Sequence, residues 1–62
     1  MVTLKAARVN AGYTQKEAAK KLNISVYTLA NYERGSTFPD IPVLKRIELL
    51  YGTPYKDIFF KT

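Results

Sequence analysis

Five acidic side chains, Glu17, Glu33, Asp40, Glu48 and Asp57, are the obvious material for acid–base chemistry in this sequence, because histidine and cysteine are both absent. An active site needs a nucleophile, a proton-transfer group and a charge stabiliser brought together. Glu17 and Asp40 stand where helix caps are expected, and no Gly-rich phosphate loop, HExxH or GxSxG motif is present. The commonest metal ligands and the commonest general base go with the missing residues. Neither catalysis nor a metal or cofactor is expected.

Val26, Tyr27, Ala30 and Asn31 offer a different chemistry. They fall on the outward face of a predicted helix, Val26 to Arg34, where a solvated face would carry Lys, Glu and Gln. Asparagine can hydrogen-bond adenine at N6 and N7, valine can pack on a thymine methyl, and tyrosine can reach a phosphate or a base edge. The same face also suits contact with another protein, or is ordinary surface. Ten Lys and Arg against five Asp and Glu give a formal charge of +5 in 62 residues. That excess favours a polyanion, either nucleic acid or an anionic membrane face. Lys16, Lys20 and Lys21 lie opposite mainly alanine, too little apolar area for membrane anchoring. No apolar run approaches the roughly 20 residues that span a bilayer.

The elements that position this face follow from caps and spacing. A first helix from about Thr3 to Asn10 places Leu4, Ala7 and Ala11 on one face, with Lys5 on another. Gly12 is its expected stop. Arg8 lies at the edge of the apolar face, either solvated or a buried arm seeking a carboxylate. Thr14 followed three residues later by Glu17 is a capping box and starts a second helix. Ala18, Ala19 and Leu22 form its inner face, and Asn23 tolerates the left-handed backbone that ends it. Ile24 is expected to plug the core, and Ser25 caps the third helix. Leu29, Tyr32 and Thr28 face inward, and Gly35 terminates. The short link between these helices has the length of a helix-turn-helix connection, about three to four residues.

Asp40 is the expected cap of a fourth helix, Ile41 to Tyr51, with Pro42 in its first turn and Leu44, Ile47 and Tyr51 on one face. Gly52 ends it. Thr53 and Pro54 then start a short fifth helix, in which Tyr55, Ile58 and Phe59 at i, i+3, i+4 close the core. Phe60 is left as extra core or as an exposed contact. No strand-like alternation is seen. The expectation is an all-α bundle of five short helices, one domain over residues 1–62. Phosphate contacts are expected to flank the third helix: Thr14, Gln15 and Lys16 at the start of the second, and Arg34, Ser36 and Thr37 beyond the third. Thr28 is counted with them.

The run TQKEAAKKLNISVYTLANYERG resembles the helix-turn-helix of the phage lambda-repressor and Cro family, also called the XRE family. The likeness extends from about Leu4 to Phe59. It includes Leu4, Arg8, Gly12, Thr14-Gln15, Ala19, Leu22, Ile24-Ser25, Leu29, Tyr32-Glu33-Arg34-Gly35, Pro39, Leu44 and Gly52. The resemblance implies a five-helix DNA-binding domain of a bacterial or prophage transcription regulator. It implies that Gln15 contacts a phosphate and that Val26, Tyr27 and Asn31 read bases. It also implies that Arg8 and Glu33 form a mostly buried ion pair. Two residues depart from the family pattern: Ala18 stands where leucine is usual, leaving space for Tyr13 or Phe59, and Val26 stands where a polar residue is common.

The implied partner is operator DNA, with palindromic half-sites read by paired domains. A weak homodimer is expected through the C-terminal end, at Tyr51, Tyr55, Phe59 and Phe60. A protein-binding module of the same fold, such as an antirepressor or antitoxin, is the alternative. No small-molecule ligand is indicated. Absence of cysteine and of a signal peptide at Met1-Val2-Thr3 suggests a cytoplasmic or nucleoid location.

Overall fold

The computed structural model describes residues 1–60, so the last two residues of the expected 1–62 domain lie outside the described part. In chain order the elements are β1 (Val2–Thr3), α1 (Leu4–Asn10), α2 (Gln15–Leu22), α3 (Val26–Arg34), α4 (Ile41–Tyr51), a 3-10 turn (Tyr55–Asp57) and β2 (Ile58–Phe59).

Each α-helix starts on a side-chain cap. The Thr3, Thr14 and Ser25 hydroxyls and the Asp40 carboxylate accept from the backbone N–H three residues on, at 3.0–3.1 Å. Glu17 completes the box by accepting from the Thr14 N–H at 2.9 Å. Each cap satisfies one of the donors that a helix start leaves free. The stops are equally local. Asn23 adopts φ 60° and ψ 42°, Asn23 N–H donates to the Lys20 carbonyl, and Ile24 N–H donates to that of Ala19. This is a Schellman closure, which satisfies two end carbonyls and brings Ile24 over Ala19. Gly35, at φ 83°, closes α3 the same way: its N–H reaches the Tyr32 carbonyl and the Ser36 N–H reaches that of Asn31.

The core lies where the helices meet. Leu22, Leu29 and Ile47 are wholly buried, with Leu4, Ala7, Ala18, Ala19, Val43, Tyr51 and Ile58 around them. Burying a leucine or isoleucine stabilises by about 1.5–3 kcal/mol. Ala18 and Ala19 let α2 pack closely on its neighbours. Of the two side chains expected to compensate for the small Ala18, Tyr13 packs on the core with its ring 6.4 Å from that of Tyr51. Phe59 remains half exposed. On α4 the buried set is Val43, Ile47 and Tyr51, one i, i+4 row, and Leu44 sits at its edge.

The expected fifth helix does not form, so the bundle has four α-helices among the described residues. Pro54 takes an extended conformation, φ −60° and ψ 144°, and only a single 3-10 turn follows. The chain then runs extended and pairs in parallel with the other end of the domain, Val2 with Ile58 and Thr3 with Phe59. A strand's period of two replaces the helix's period of 3.6 here. Ile58 is buried and Phe60 packs against the core, while Phe59 between them points out. Tyr55, expected in the core, is exposed on the 3-10 turn that stands in place of the helix.

Candidate nucleic-acid interface

The outward face of α3 is set by what its inner face must bury. Leu29 and Glu33 are buried one turn apart, and Tyr32 packs beside them. That orientation leaves Tyr27 at 71 % and Val26 at 46 % exposure. Asn31 is half-buried one turn beyond Tyr27, on the same side of the helix. Val26, Tyr27 and Asn31 are therefore brought together on one face, as their spacing suggested. Thr28 is half-buried, and its hydroxyl hydrogen-bonds that of Ser25 at 2.8 Å.

Beneath this face lies the ion pair that anchors it. Arg8 Nε donates to Glu33 Oε2 at 2.8 Å, and Arg8 Nη2 reaches Glu33 Oε1 at 3.5 Å. Both side chains are more than nine-tenths buried. Arg8 Nη1 also donates to the Tyr13 carbonyl at 2.8 Å. Gln15 Nε2 donates to Glu33 Oε1 at 2.9 Å. Two buried charges are tolerable only when their remaining donors and acceptors are met, and the Tyr13 carbonyl and Gln15 supply these partners. One carboxylate thus ties α1, the start of α2 and α3 together.

Gln15 is consequently fixed at the start of α2 beside Thr14 and Lys16, both exposed. The Glu17 carboxyl there is held below its ordinary range, first by the hydrogen bond from the Thr14 N–H and then by the Thr14 hydroxyl. At the far end of α3, Arg34, Ser36 and Thr37 are exposed. Arg34 Nη2 donates to Asn31 Oδ1, which joins a residue expected on the DNA backbone to one expected on the bases. Their i, i+3 spacing makes the two residues neighbours on a helix, so the two expected roles meet in one hydrogen bond.

An open cleft of ≈ 360 Å³ runs beside this face, lined by Lys5, Gln15, Ala30, Glu33 and Arg34. Lys5 was not among the expected contacts. Its signal in the sequence was its place one turn before Arg8, the residue that reaches Glu33.

The helix-turn-helix family model matches residues 4–58. The chain belongs to that family. A related protein, the HTH-type transcriptional regulator ImmR of Bacillus subtilis (strain 168), is 56% identical over 49 residues, covering 79% of this chain. The chain spans 39% of that relative's length. No solved structure matches at a significant level. The match runs from the first residue of α1 to the buried Ile58, so it covers all four helices, while β1 at Val2–Thr3 precedes it.

The surface expected to join two copies needs correction. Tyr51 is 7 % exposed, with its ring in the core, and Phe60 packs inward. Burial raises the Tyr51 phenol to about 12, helped by the nearby Glu33 charge. Its hydroxyl has no hydrogen-bond partner among the described residues. The exposed apolar side chains at this end are Leu49, Tyr55 and Phe59. Among the described residues, no helix is long and apolar enough to cross a membrane.

Proposed function

We propose that the domain binds double-stranded DNA sequence-specifically, as the reading part of a transcription regulator of the repressor and Cro type, with α3 in the major groove. The observation that carries the reading is the uncharged, exposed face of α3, flanked at both ends by donors and cations. Val26, Tyr27 and Asn31 read bases; Thr14, Gln15, Lys16, Thr28, Arg34, Ser36 and Thr37 hold phosphates. Phosphate contacts set register and base contacts set preference. The Arg34–Asn31 hydrogen bond leaves Asn31 one free lone pair on Oδ1 and both amide hydrogens, enough for the paired bond to adenine N6 and N7. Arg34 then both grips the backbone and orients the reading amide.

A single domain reads a half-site, and two copies related by a two-fold axis read a palindrome. Pairing through the C-terminal end uses Leu49, Tyr55 and Phe59, a small surface that supports a weak dimer or one formed on DNA.

Selection of duplexes from a random pool tests the reading. Recovery of one palindromic motif, bound with an affinity that falls steeply with salt, is the expected result. Failure to bind any duplex at low salt would overturn it and leave the exposed Val26 and Tyr27 as a surface for a protein partner.

A further inference from the structure

We propose that the reading face of α3 makes duplex binding sensitive to methylation of adenine at N6, with Asn31 as the sensor and Arg34 as the residue that fixes its direction. This rests on the duplex-binding reading and adds to it a chemical mark that switches binding off. Arg34 Nη2 donates to Asn31 Oδ1, and a guanidinium carries donors only. The bond therefore sets which way the amide points. Turned over, the amide NH2 group would face the guanidinium donor to donor. Asn31 is also half-buried, which narrows the freedom of its side chain.

Oδ1 has one lone pair left, and that lone pair needs a hydrogen from the base. Adenine supplies it at N6, beside the N7 acceptor that the Asn31 NH2 group meets. Guanine presents acceptors at both O6 and N7, so Oδ1 would face oxygen. In a duplex one N6 hydrogen of adenine pairs with thymine and the other points into the major groove. A single N6-methyl group takes the groove position, because the pairing position must keep its hydrogen. Asn31 then meets a methyl group where it needs a donor. Val26 and Ala30 on the same face are apolar, so neither replaces the lost bond. Arg34 is accordingly a positioning residue for this contact, a role separate from its grip on the backbone.

The test uses the duplex selected from a random pool, with N6-methyladenine placed at one adenine at a time. Affinity is measured for wild type, Asn31→Ala and Arg34→Ala at one salt concentration. Wild type should lose about 5- to 150-fold at one position in each half-site, the range for a paired base contact, and little elsewhere. Asn31→Ala, whose alanine suits a helix, should bind that methylated duplex as it binds the unmethylated one. Guanine in place of the same adenine should weaken wild type strongly and Arg34→Ala much less. That ratio does not move when a phosphate contact alone is lost. No methylation-sensitive position in wild type, a gain in affinity as the methyl group packs on Tyr27, or the same loss in Asn31→Ala would each overturn the sensor while leaving duplex binding intact. An undiminished adenine preference in Arg34→Ala would overturn the part given to Arg34. A wild type that binds no duplex would overturn both readings.

Discussion

The helix pair Gln15–Arg34 and the closing segment Tyr55–Phe60 are held by opposite kinds of interaction. In the pair, every boundary is fixed by a group within five residues: a hydroxyl cap at each start, and Schellman bonds at Asn23 and Gly35. Only the Arg8–Glu33–Gln15 cluster reaches across the chain. The closing segment has two local bonds of its own, from the Asp57 N–H to the Pro54 carbonyl and from the Ile58 N–H to the Tyr55 carbonyl. Apart from a hydrogen bond from the Tyr55 N–H to Glu48, its place depends on pairing with Val2–Thr3 at the other end of the chain and on burying Ile58. The pair forms a surface whose local geometry is specified twice over; the closing segment exists only once the rest has folded.

Breaking the one long-range tie of the helix pair should have the largest effect. Glu33→Ala leaves the Arg8 guanidinium buried without its charge partner, at a cost of about 3–5 kcal/mol. A domain of this size has little more than that to lose, so thermal denaturation should show it largely unfolded at room temperature. Retention of a wild-type melting curve would mean that Arg8 reaches solvent easily. Ile58→Ala comes next, at about 2 kcal/mol, the low end for a buried isoleucine, because the segment can peel away without collapsing the helices. Hydrogen exchange should then show early loss of protection at Val2–Thr3 with α2 and α3 still protected.

Thr14→Ala should cost about 1 kcal/mol through the lost cap. It should also weaken a pH dependence, because the hydroxyl's share is lost while the backbone N–H of residue 14 still donates to Glu17. The Glu17 pKa is lower in the folded state, so its contribution is present above the unfolded carboxylate value and is lost as pH falls through the lowered one. The gap in melting temperature between wild type and Thr14→Ala should narrow, without closing, as the solution is acidified through that range, because the lost cap on the Glu17 N–H does not titrate. Tyr51→Phe has the smallest effect and the opposite sign, since it removes a buried hydroxyl that has no partner among the described residues. A gain of up to ~1 kcal/mol is expected, together with loss of the destabilisation that wild type shows as pH rises from 10 toward about 12. A substantial loss of stability in Tyr51→Phe would reveal a hydrogen bond to that oxygen.

This contrast also decides what could be read from the amino acids alone. Thr14, Glu17, Asn23, Ser25, Gly35 and Asp40 each announce a boundary through their own backbone preference, and each boundary stands where they put it. Tyr55, Ile58 and Phe59 have helical spacing over only five residues, and that spacing competes with a pairing partner at the opposite terminus. Parallel pairing of two-residue strands leaves no local signature, so the swap of Phe59 and Phe60 was not legible. The Arg8–Glu33 pair came from family likeness, and Gln15 joining it was not foreseen. The nearness of Lys5 to Gln15 and Arg34 depends on how α1 crosses α3, which no local pattern encodes.

In the proposed function α3 divides its labour, with its outward face choosing sequence and its flanks holding the backbone. The direct measurement compares Asn31→Ala and Gln15→Ala on a selected duplex and on a scrambled one at the same salt concentration. Asn31→Ala should lose about 1–3 kcal/mol on the selected duplex and almost nothing on the scrambled one. Gln15→Ala should weaken both to the same degree. Equal weakening of both duplexes by Asn31→Ala would contradict the assignment of the reading face.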